Sequence, residues 1–531
     1  MSAVLPALPD ALRELVARLP PRTEAYLVGG AVRDLLLGRP LVDFDLAVPR
    51  GAVALARRLA DGLGAAFVAL DDERGVARVV WEREGGRLEV DVADFRAEDL
   101  EGDLRARDLT INAMAMPLDG GRDAAAVPEL IDPAGGRRDL RDGVVRLLSP
   151  AVLRDDPLRT LRAVRVAAQL GFRLDADSAA WIAEAAPLLP SAAPERIREE
   201  LWKCIVAPCP AATLRRLDEL GLLAIVLPEV VPAHGMAQSP PHREDVWEHS
   251  LSVVEQTAKV IALVQQLAAG DTESATNALL QRGVVDADRA VAESGIARGD
   301  EPTGGADPDL AAALAPFASP LAERLARPFA ADHQARGLLL LAALFHDLGK
   351  PRAQSVGEDG RIHFYGHEQA GARLAADRLD ALRFAQAEVQ QVSAIVRHHM
   401  RPLQLQRPAP LSPRSLHRYH RATGEVGPEV CLLSLADNLA KGAERTHGAW
   451  PVFLARVGEL LDAFFFRHDE LVAPPPLLRG GELAAELGVA PGPWTGELLR
   501  ALAESQATGE VRTREEALAT ACAWWQEHGN A

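Results

Sequence analysis

The chain has 531 residues, which is too long for one hydrophobic core and predicts about three or four domains. With 48% hydrophobic and 25% charged residues it has a globular composition, and no apolar run of about 18 residues indicates a membrane span. The net charge of −17 excludes indiscriminate nucleic-acid binding but leaves room for a local basic groove, since residues 131–173 hold nine Arg and five Asp. Four cysteines without CxxC spacing favour a reducing cytoplasm.

The most informative stretch comprises residues 26–48. It reads as a short apolar strand, a Gly-Gly turn, a helical start and a second strand, and it carries Gly29, Gly30, Arg33, Asp43 and Asp45. Side chains at i and i+2 of a strand lie on one face, so the two carboxylates repel each other unless a cation neutralises them. Their hard oxygen atoms suit Mg²⁺, and the glycines let the backbone approach a phosphate. The pattern predicts a site for a nucleoside triphosphate and two metal ions.

These residues, in the order GGxVRD and then DxD, resemble the class II tRNA nucleotidyltransferase and poly(A) polymerase family. The resemblance implies a polymerase-beta-like α/β head that adds or repairs the 3′-terminal CCA of tRNA. Its implied partners are tRNA, CTP and ATP, and its implied cofactor is Mg²⁺ held by Asp43 and Asp45.

Further along the head, amphipathic patterns predict helices over residues 10–20 and 52–63, and alternation predicts strands near 67–70, 76–81 and 88–93. In the last strand Asp91 shares a face with Glu89, and the resemblance supports Asp91 as a third catalytic carboxylate. The next motif of the family usually carries two arginines. Here the first is Ala106, while the remaining nucleotide-binding positions match: Arg107, Asp108 and Asn112.

A basic stripe follows at residues 154–165. Arg159, Arg162 and Arg165 recur every three residues, which places them along one side of a predicted helix, with two acids expected at its start. The stretch resembles the family's nucleotide-selecting element. The resemblance implies that Asp156 and Arg159 hydrogen-bond the base edge of the incoming nucleotide, and it adds Asp155 in place of the usual Glu.

All 14 histidines lie at or beyond His234, which separates an imidazole-rich half from a head without histidine. Their order, H…HD…H…HH…D, resembles the HD-domain metal phosphohydrolases. The resemblance implies one metal on His249, His346, Asp347 and Asp437, and a second bridged by Asp347 to His367, His398 and His399. Imidazole and carboxylate together suit Mn, Fe, Ni or Zn.

The sequence thus predicts an α+β multidomain protein in four parts: a head over residues 1–150, a helical neck and RNA-binding region over 151–235, an HD domain over 236–470 and a helical tail over 471–531. A Gly-, Ala- and Asp-rich segment at about 268–330 is expected to be a partly disordered insertion. A cytoplasmic location without membrane contact and a homodimer are further expectations.

Several functions remain open from sequence. One group consists of CC-only addition, A-only addition and bacterial polyadenylation. A rival of another class is an HD phosphohydrolase whose head only binds RNA, which would predict a damaged DxD pair. A non-catalytic RNA-binding protein would predict broken metal ligands in both halves. The intact Asp43, Asp45 and His346-Asp347 favour the two-activity enzyme.

Overall fold

The computed structural model describes residues 9–41, 43–83, 86–118, 130–240, 243–270, 307–330, 333–358, 361–442 and 449–528. The chain divides into two compact units. The first consists of Met1–Arg196 and Arg216–Ile225, and the second of Ile197–Arg215 and Val226–Ala531. The predicted division into four domains stays a prediction.

A six-stranded sheet is the centre of the first unit. Its spatial order is β3-β4-β5-β2-β1-β6, and only β2 and β5 pair in parallel. The strands are β1 Ala25–Val28, β2 Asp43–Val48, β3 Ala66–Asp71, β4 Val76–Arg83, β5 Gly86–Asp94 and β6 Ala115–Leu118. Two short strands, β7 Val144–Val145 and β8 Arg173–Leu174, form a separate parallel pair.

Alternating burial fixes which side of the sheet faces the core. Phe44 and Leu46 of β2, like Val90 and Val92 of β5, are at most 1% exposed. Because side chains alternate along a strand, the acids between these residues share the opposite face. The parallel connection from β2 to β5 passes through α3, whose ends are both glycines in the left-handed region, Gly51 and Gly64.

The first unit also contains short helices around the sheet. They are α1 Asp10–Ala17, α2 Gly30–Leu36, α3 Ala52–Leu63, α4 Leu100–Arg105, α5 Gly136–Arg141, α6 Ala151–Asp155, α7 Arg159–Leu170 and α8 Ala176–Ala185. A turn of 3-10 helix spans Thr110–Asn112. Three more helices contain residues of both units: α9 Pro194–Ile205, α10 Pro210–Glu219 and α11 Leu222–Val226.

Where the structure describes it, the second unit consists of helices and connecting loops apart from the two-residue strands β9 Ser355–Val356 and β10 Ile362–His363. Its described helices are α12 Val246–Ala268, α13 Pro308–Leu314, α14 Ala318–Ala326, α15 Ala335–Phe345, α16 Lys350–Ala353, α17 His367–Ala381, α18 Gln386–His398, α19 Arg401–Gln404, α20 Pro413–Thr423, α21 Gly427–Ala440, α22 Ala449–Phe465, α23 Gly480–Leu487, α24 Pro493–Ala507 and α25 Arg514–His528. The predicted fold class, an α/β head followed by helices, is confirmed. No described helix is long and apolar enough to cross a membrane.

The apolar helix α12 packs against α14, α15 and α21. Helices α23, α24 and α25 enclose a smaller cluster of buried side chains: Leu478, Leu483, Leu498, Leu502, Val511, Ala517 and Ala521. Asp245 caps α12 by accepting a hydrogen bond from the Glu248 amide, which fixes the start of the helix that carries His249.

Part of the expected insertion at about 268–330 is helical. Helices α13 and α14 lie within residues 308–326, and their buried leucines join the second unit: Leu310, Leu314, Leu321 and Leu325. The alanine-rich sequence there is therefore helix-forming sequence with leucines on its buried side. Residues 271–306 lie outside the described part of the chain.

A close approach in the second unit gives a test of its packing. A Cβ added to Gly337 would collide with the indole of Trp202, which stacks on His333 with ring centroids 3.9 Å apart and has little room to shift. Gly337→Ala should therefore destabilise the protein by about 1–3 kcal/mol in urea unfolding. Gly458→Ala in α22, where nothing lies within 4 Å, is the matched control and should be neutral or stabilising by up to about 1 kcal/mol. Equal effects of the two changes would contradict this packing.

Candidate functional site

Acids crowd one face of β2 and β5. The parallel register places Asp45 beside Asp91 and Asp43 beside Glu89. The three predicted catalytic carboxylates therefore lie on two neighbouring strands, although Asp43 is exposed at the strand end. This arrangement needs the sheet pairing as well as the DxD spacing, because Asp91 is far from the other two in sequence.

Positive charge balances these carboxylates. Burial raises the pKa of Asp45, Arg107 lowers it, and the charges of Asp91 and Asp43 raise it again, with a net upward shift. Asp91 accepts two hydrogen bonds from Arg78, Nε to Oδ1 at 2.7 Å and Nη2 to Oδ2 at 2.9 Å. Those bonds raise the pKa of Arg78. The sequence analysis missed Arg78 because it lies on β4 and meets Asp91 only through the register of the hairpin.

Gly29 brings the backbone directly against the acids. Its φ is +73°, and a Cβ there would lie 2.9 Å from Asp45 Oδ2 and 3.2 Å from Arg107 Nη1. A side chain would be both strained and in collision, so this position requires glycine. Gly30, the first residue of α2, lies next to the Arg33 guanidinium.

A cavity of about 350 Å³ opens over this face. Its lining includes Gly29, Gly30, Asp45, Asp91, Asp108, Asn112 and six arginines, namely Arg33, Arg96, Arg107, Arg159, Arg162 and Arg165. The stripe predicted from 154–165 thus faces the cavity with all three arginines. Arg96 was missed as a site residue. The sequence could have indicated Arg96, because it closely follows the strand that carries Asp91. Burial and the charge of Arg107 lower the pKa of Arg96.

Hydrogen bonds tie three parts of the chain together at the cavity. Arg33 Nη1 donates to Asn112 Oδ1 at 2.9 Å, and Asn112 Nδ2 donates to Asp108 Oδ1 at 3.3 Å. Arg162 Nη1 lies 3.5 Å from Asp108 Oδ2. Burial alone would raise the pKa of Asp108, but Arg162, Asn112 and the Leu109 amide lower it below its usual value. Asp108 is therefore an ionised, buried anchor for Asn112 and Arg162.

The two acids predicted to begin the basic helix lie elsewhere. Asp155 ends α6 and is exposed, while α7 begins only at Arg159. Asp156 lies between the two helices and accepts a hydrogen bond from Arg196 Nη2 at 2.8 Å. Neither acid lines the cavity. Pro157 lies between the two helices and has no amide hydrogen to donate, and the basic helix begins later than predicted.

A second cluster lies in the second unit, where ligand atoms of two groups of three residues come within 4.8 Å of one another. One group is His249, His346 and Asp347, and the other is Asp347, His367 and His399. Asp347 belongs to both: its Oδ2 lies 3.1 Å from His346 Nε2, and its Oδ1 lies 3.4 Å from His367 Nε2. The helices α12, α15, α17 and α18 supply the histidines at or near their ends or first turns.

Backbone carbonyls orient three of the rings. The Nδ1 atoms of His346, His367 and His399 each donate to the carbonyl three residues earlier, at 2.7–2.8 Å. Their Nε2 atoms are therefore left as lone-pair acceptors that face Asp347. His346 Nε2 is buried without a hydrogen-bond partner in the described residues, and His367 Nε2 lies 3.3 Å from His399 Nε2. Two lone pairs face each other stably only with a cation between them, so these residues fit a metal site.

His398 does not belong to this cluster. It lies outside both groups, and its Nδ1 accepts a hydrogen bond from Arg401 Nε at 2.9 Å. His399, which was predicted together with His398, belongs to the second group and directly follows α18. Burial and the neighbouring His346 and His367 lower the pKa of His399 to about 3. Asp437 is adjacent, with Oδ1 3.0 Å from His249 Nε2. Sequence order alone could not decide which of two consecutive histidines faces inward.

Two lysines, which are not metal-ligand candidates, contact the carboxylates of this cluster. Lys350 Nζ donates to Asp347 Oδ2 at 2.6 Å and Lys441 Nζ to Asp437 Oδ2 at 3.0 Å. Both line a cavity of about 260 Å³ together with Asp347, His367 and His399. Burial raises the pKa of Asp347, but His346 and Lys350 lower it well below its ordinary value, so this carboxylate is ionised.

The raised pKa of Asp45 implies that its ionised carboxylate destabilises the folded protein at neutral pH. A carboxyl whose pKa is raised by folding favours the folded state at low pH, and this contribution is lost as pH rises through the raised pKa. Asp45→Asn should therefore raise the melting temperature at pH 7 in the absence of divalent ions, and the gain should vanish in acid. Asp155→Asn, at an exposed acid, is the control and should change little. A lower melting temperature for Asp45→Asn would contradict this electrostatic account.

The choice between the two consecutive histidines can be tested by metal content. After incubation with Mn²⁺ and desalting, His399→Ala should retain less metal per chain than the unchanged protein, because it removes a nitrogen that faces Asp347. His398→Ala should retain the normal amount. Elemental analysis by mass spectrometry measures both, and an equal loss in the two variants would refute the placement of His399.

Three known families match successive parts of this chain. Residues 25–146 match the poly A polymerase head domain, residues 171–233 the probable RNA and SrmB-binding site of polymerase A, and residues 315–442 the HD domain. A nucleotidyltransferase head and an HD domain both imply divalent metals, and the acids and histidines described above are suitable ligands.

Full-length relatives match over nearly the whole chain. The A-adding tRNA nucleotidyltransferase of Deinococcus radiodurans is 34% identical over 95% of this chain and 96% of its own. The CC-adding tRNA nucleotidyltransferase of Thermus thermophilus is also 34% identical, over 94% of each chain. A solved CCA-adding enzyme in an apo form has the same fold, with a TM-score of 0.58 and 20% identity over 97% of this chain and 93% of that one. The resemblance read from the motifs is confirmed: this chain belongs to the tRNA nucleotidyltransferase family, with a poly A polymerase head and an HD domain.

Proposed function

We propose that the head transfers nucleotides from CTP and ATP to the 3′ end of tRNA and so builds or repairs the CCA terminus. The observation that carries the proposal is the cavity in which Asp45 and Asp91 face six arginines. The acids supply ligands for Mg²⁺, and the arginines supply charge for a triphosphate. The names of the full-length relatives support tRNA as the acceptor.

The acids and the arginines match the two requirements of nucleotide transfer. Phosphoryl transfer depends on positioning and charge neutralisation more than on covalent catalysis. Asp43, Asp45 and Asp91 would hold Mg²⁺, which activates the attacking hydroxyl and neutralises the leaving pyrophosphate. Arg107 lies beside Gly29 and Asp45, where it would contact the triphosphate. Arg162 is anchored by Asp108, so its charge is offered to the substrate from a fixed position.

Base recognition is assigned to Asp156 and Arg159, as the family resemblance implies. Arg159 supports this role because it lines the cavity. Asp156 pairs with Arg196 and lies outside the lining, so the proposal requires Asp156 to exchange that ion pair for the nucleotide base. The exposed Asp155 would act through the position of Asp156.

The product itself has several alternatives. The relatives named for A addition and for CC addition are equally similar to this chain, so addition of one part of CCA competes with full CCA addition, and bacterial polyadenylation is a further alternative. A homodimer and a cytoplasmic location stay predictions.

One assay distinguishes these products. Purified protein is incubated with Mg²⁺ and tRNA that ends at the discriminator base, at C or at CC, with labelled CTP, ATP or both. An enzyme that adds full CCA should extend all three substrates. A CC-only enzyme should stop after the second C, and an A-only enzyme should extend only tRNA that already ends in CC. Long A tracts would show polyadenylation. Asp43→Ala should lower transfer by about 10³-fold or more through loss of a metal ligand, and no extension of any tRNA would overturn the proposal.

The HD domain carries a second candidate function, a metal-dependent phosphohydrolase. The observation that favours it is the shared carboxylate of Asp347 between two groups of histidines, beside a cavity with Lys350 and Lys441 that would attract a phosphate. Mn, Fe, Ni or Zn suits these ligands. A protein with this activity alone, and a head that only binds RNA, is the rival of another class.

Matched variants separate the two activities. With a phosphomonoester and a 2′,3′-cyclic phosphate as substrates, His346→Ala with Asp347→Ala should abolish hydrolysis and leave nucleotide transfer intact. Asp43→Ala should do the reverse. Hydrolysis without transfer in the unchanged protein would favour the rival, and transfer without hydrolysis would remove the second function.

A further inference from the structure

A further cavity, which lies in the second unit, belongs to neither of the two sites described above. It measures about 370 Å³ and lies between α17, α18 and α19. Its characteristic side chains are Arg373, Arg397, Arg401, His398 and Glu368, and we call it the arginine pocket. None of the residues in the two groups that contain Asp347 lines this pocket. The pocket and the cavity beside Asp347 have one lining residue in common, Met400.

Positive charge predominates in the arginine pocket. In a protein of net charge −17, three guanidinium groups converge on one concavity. Within the described residues none of the three forms an ion pair, whereas Arg414 and Arg418 both pair with Glu504. The three positive charges share the lining with one carboxylate, that of Glu368, so the positive charges exceed the negative and an anion that binds there reduces their mutual repulsion.

Hydrogen bonding prepares the pocket for a ligand. Arg401 Nε donates to His398 Nδ1 at 2.9 Å, which orients the guanidinium and leaves its other N–H groups available. Because Nδ1 of His398 accepts that bond, the ring hydrogen is on Nε2, which adds a neutral donor. Glutamines at positions 369 and 404 line the same wall. Donors in this number match the oxygens of a phosphate group.

We propose that the arginine pocket binds a mononucleotide, with the guanidinium groups on its phosphate and Glu368 on its ribose hydroxyls. The volume lies at the low end of the roughly 300–1,000 Å³ typical of small-molecule sites and suits one nucleotide. Glu368 is the one acid in the lining, and it selects a ligand that carries hydrogen-bond donors as well as negative charge. A concave pocket of this size is a poorer match for an RNA backbone, which binds along open basic surfaces.

Hydrogen–deuterium exchange of the full-length protein tests the proposal, because it reports the pocket separately from the head. Peptides within 386–404 should be protected by 5′-AMP. Arg397→Gln with Arg401→Gln should raise the AMP concentration needed for half-protection about tenfold or more. Arg401→Lys should restore part of the affinity, and Arg500→Gln, at an exposed arginine of α24, is the control and should leave it unchanged. Melting temperatures confirm that each variant is folded.

Three results would overturn the inference. They are no protection by AMP at millimolar concentration, equal protection in the double variant, or protection by tRNA but not by AMP, which would make the surface an RNA contact. Equal protection by inorganic phosphate and AMP would refute the assignment of Glu368 to ribose. Failure of CCA addition or of HD hydrolysis leaves these outcomes unaffected, since neither the head acids nor the metal ligands are changed.

Discussion

The parallel pairing of β2 with β5 is the constraint on which the head depends. Its register sets Asp45 beside Asp91, and a shift by one residue would set Asp45 beside Val90 or Val92, with one of the two carboxylates turned towards the core. Close packing leaves no room for a side chain at Gly29, and the surrounding arginines offset charges that burial makes unfavourable. The acids, the glycine turn and the arginines are thus parts of one electrostatic arrangement, which is complete only when the strands pair in this way.

The candidate sites of the two units differ in their chemistry. The first has no histidine and relies on carboxylates and guanidinium groups around an open cavity. The second buries imidazoles around one shared carboxylate, Asp347. Hard oxygen ligands suit a metal that exchanges with each nucleotide, whereas mixed nitrogen and oxygen ligands hold a metal more firmly. This contrast fits a transferase that takes up a metal–nucleotide complex and a hydrolase with a resident metal.

Sequence predicted the features that depend on local spacing. The strands around Asp43 and Asp91, the helix from Ala52 to Leu63 and the arginine stripe all appear in the structure. It missed features that arise from tertiary contact, such as the ion pair of Arg78 with Asp91. It also erred at two single positions: both His398 and His399 were expected as ligands but only His399 is in the cluster, and Asp155 ends a short helix instead of beginning the basic one. The helices between residues 308 and 326 were not predicted, because the alanine-rich composition indicated partial disorder.

The short hydrogen bonds from His346, His367 and His399 to carbonyls three residues earlier have a consequence for assembly of the metal centre. Each bond joins residues only three positions apart, so ring orientation is set by local backbone rather than by the ion. The apo-protein is therefore preorganised: a lost ion can be reloaded without repacking the helices, and little of its binding free energy is spent on ordering side chains.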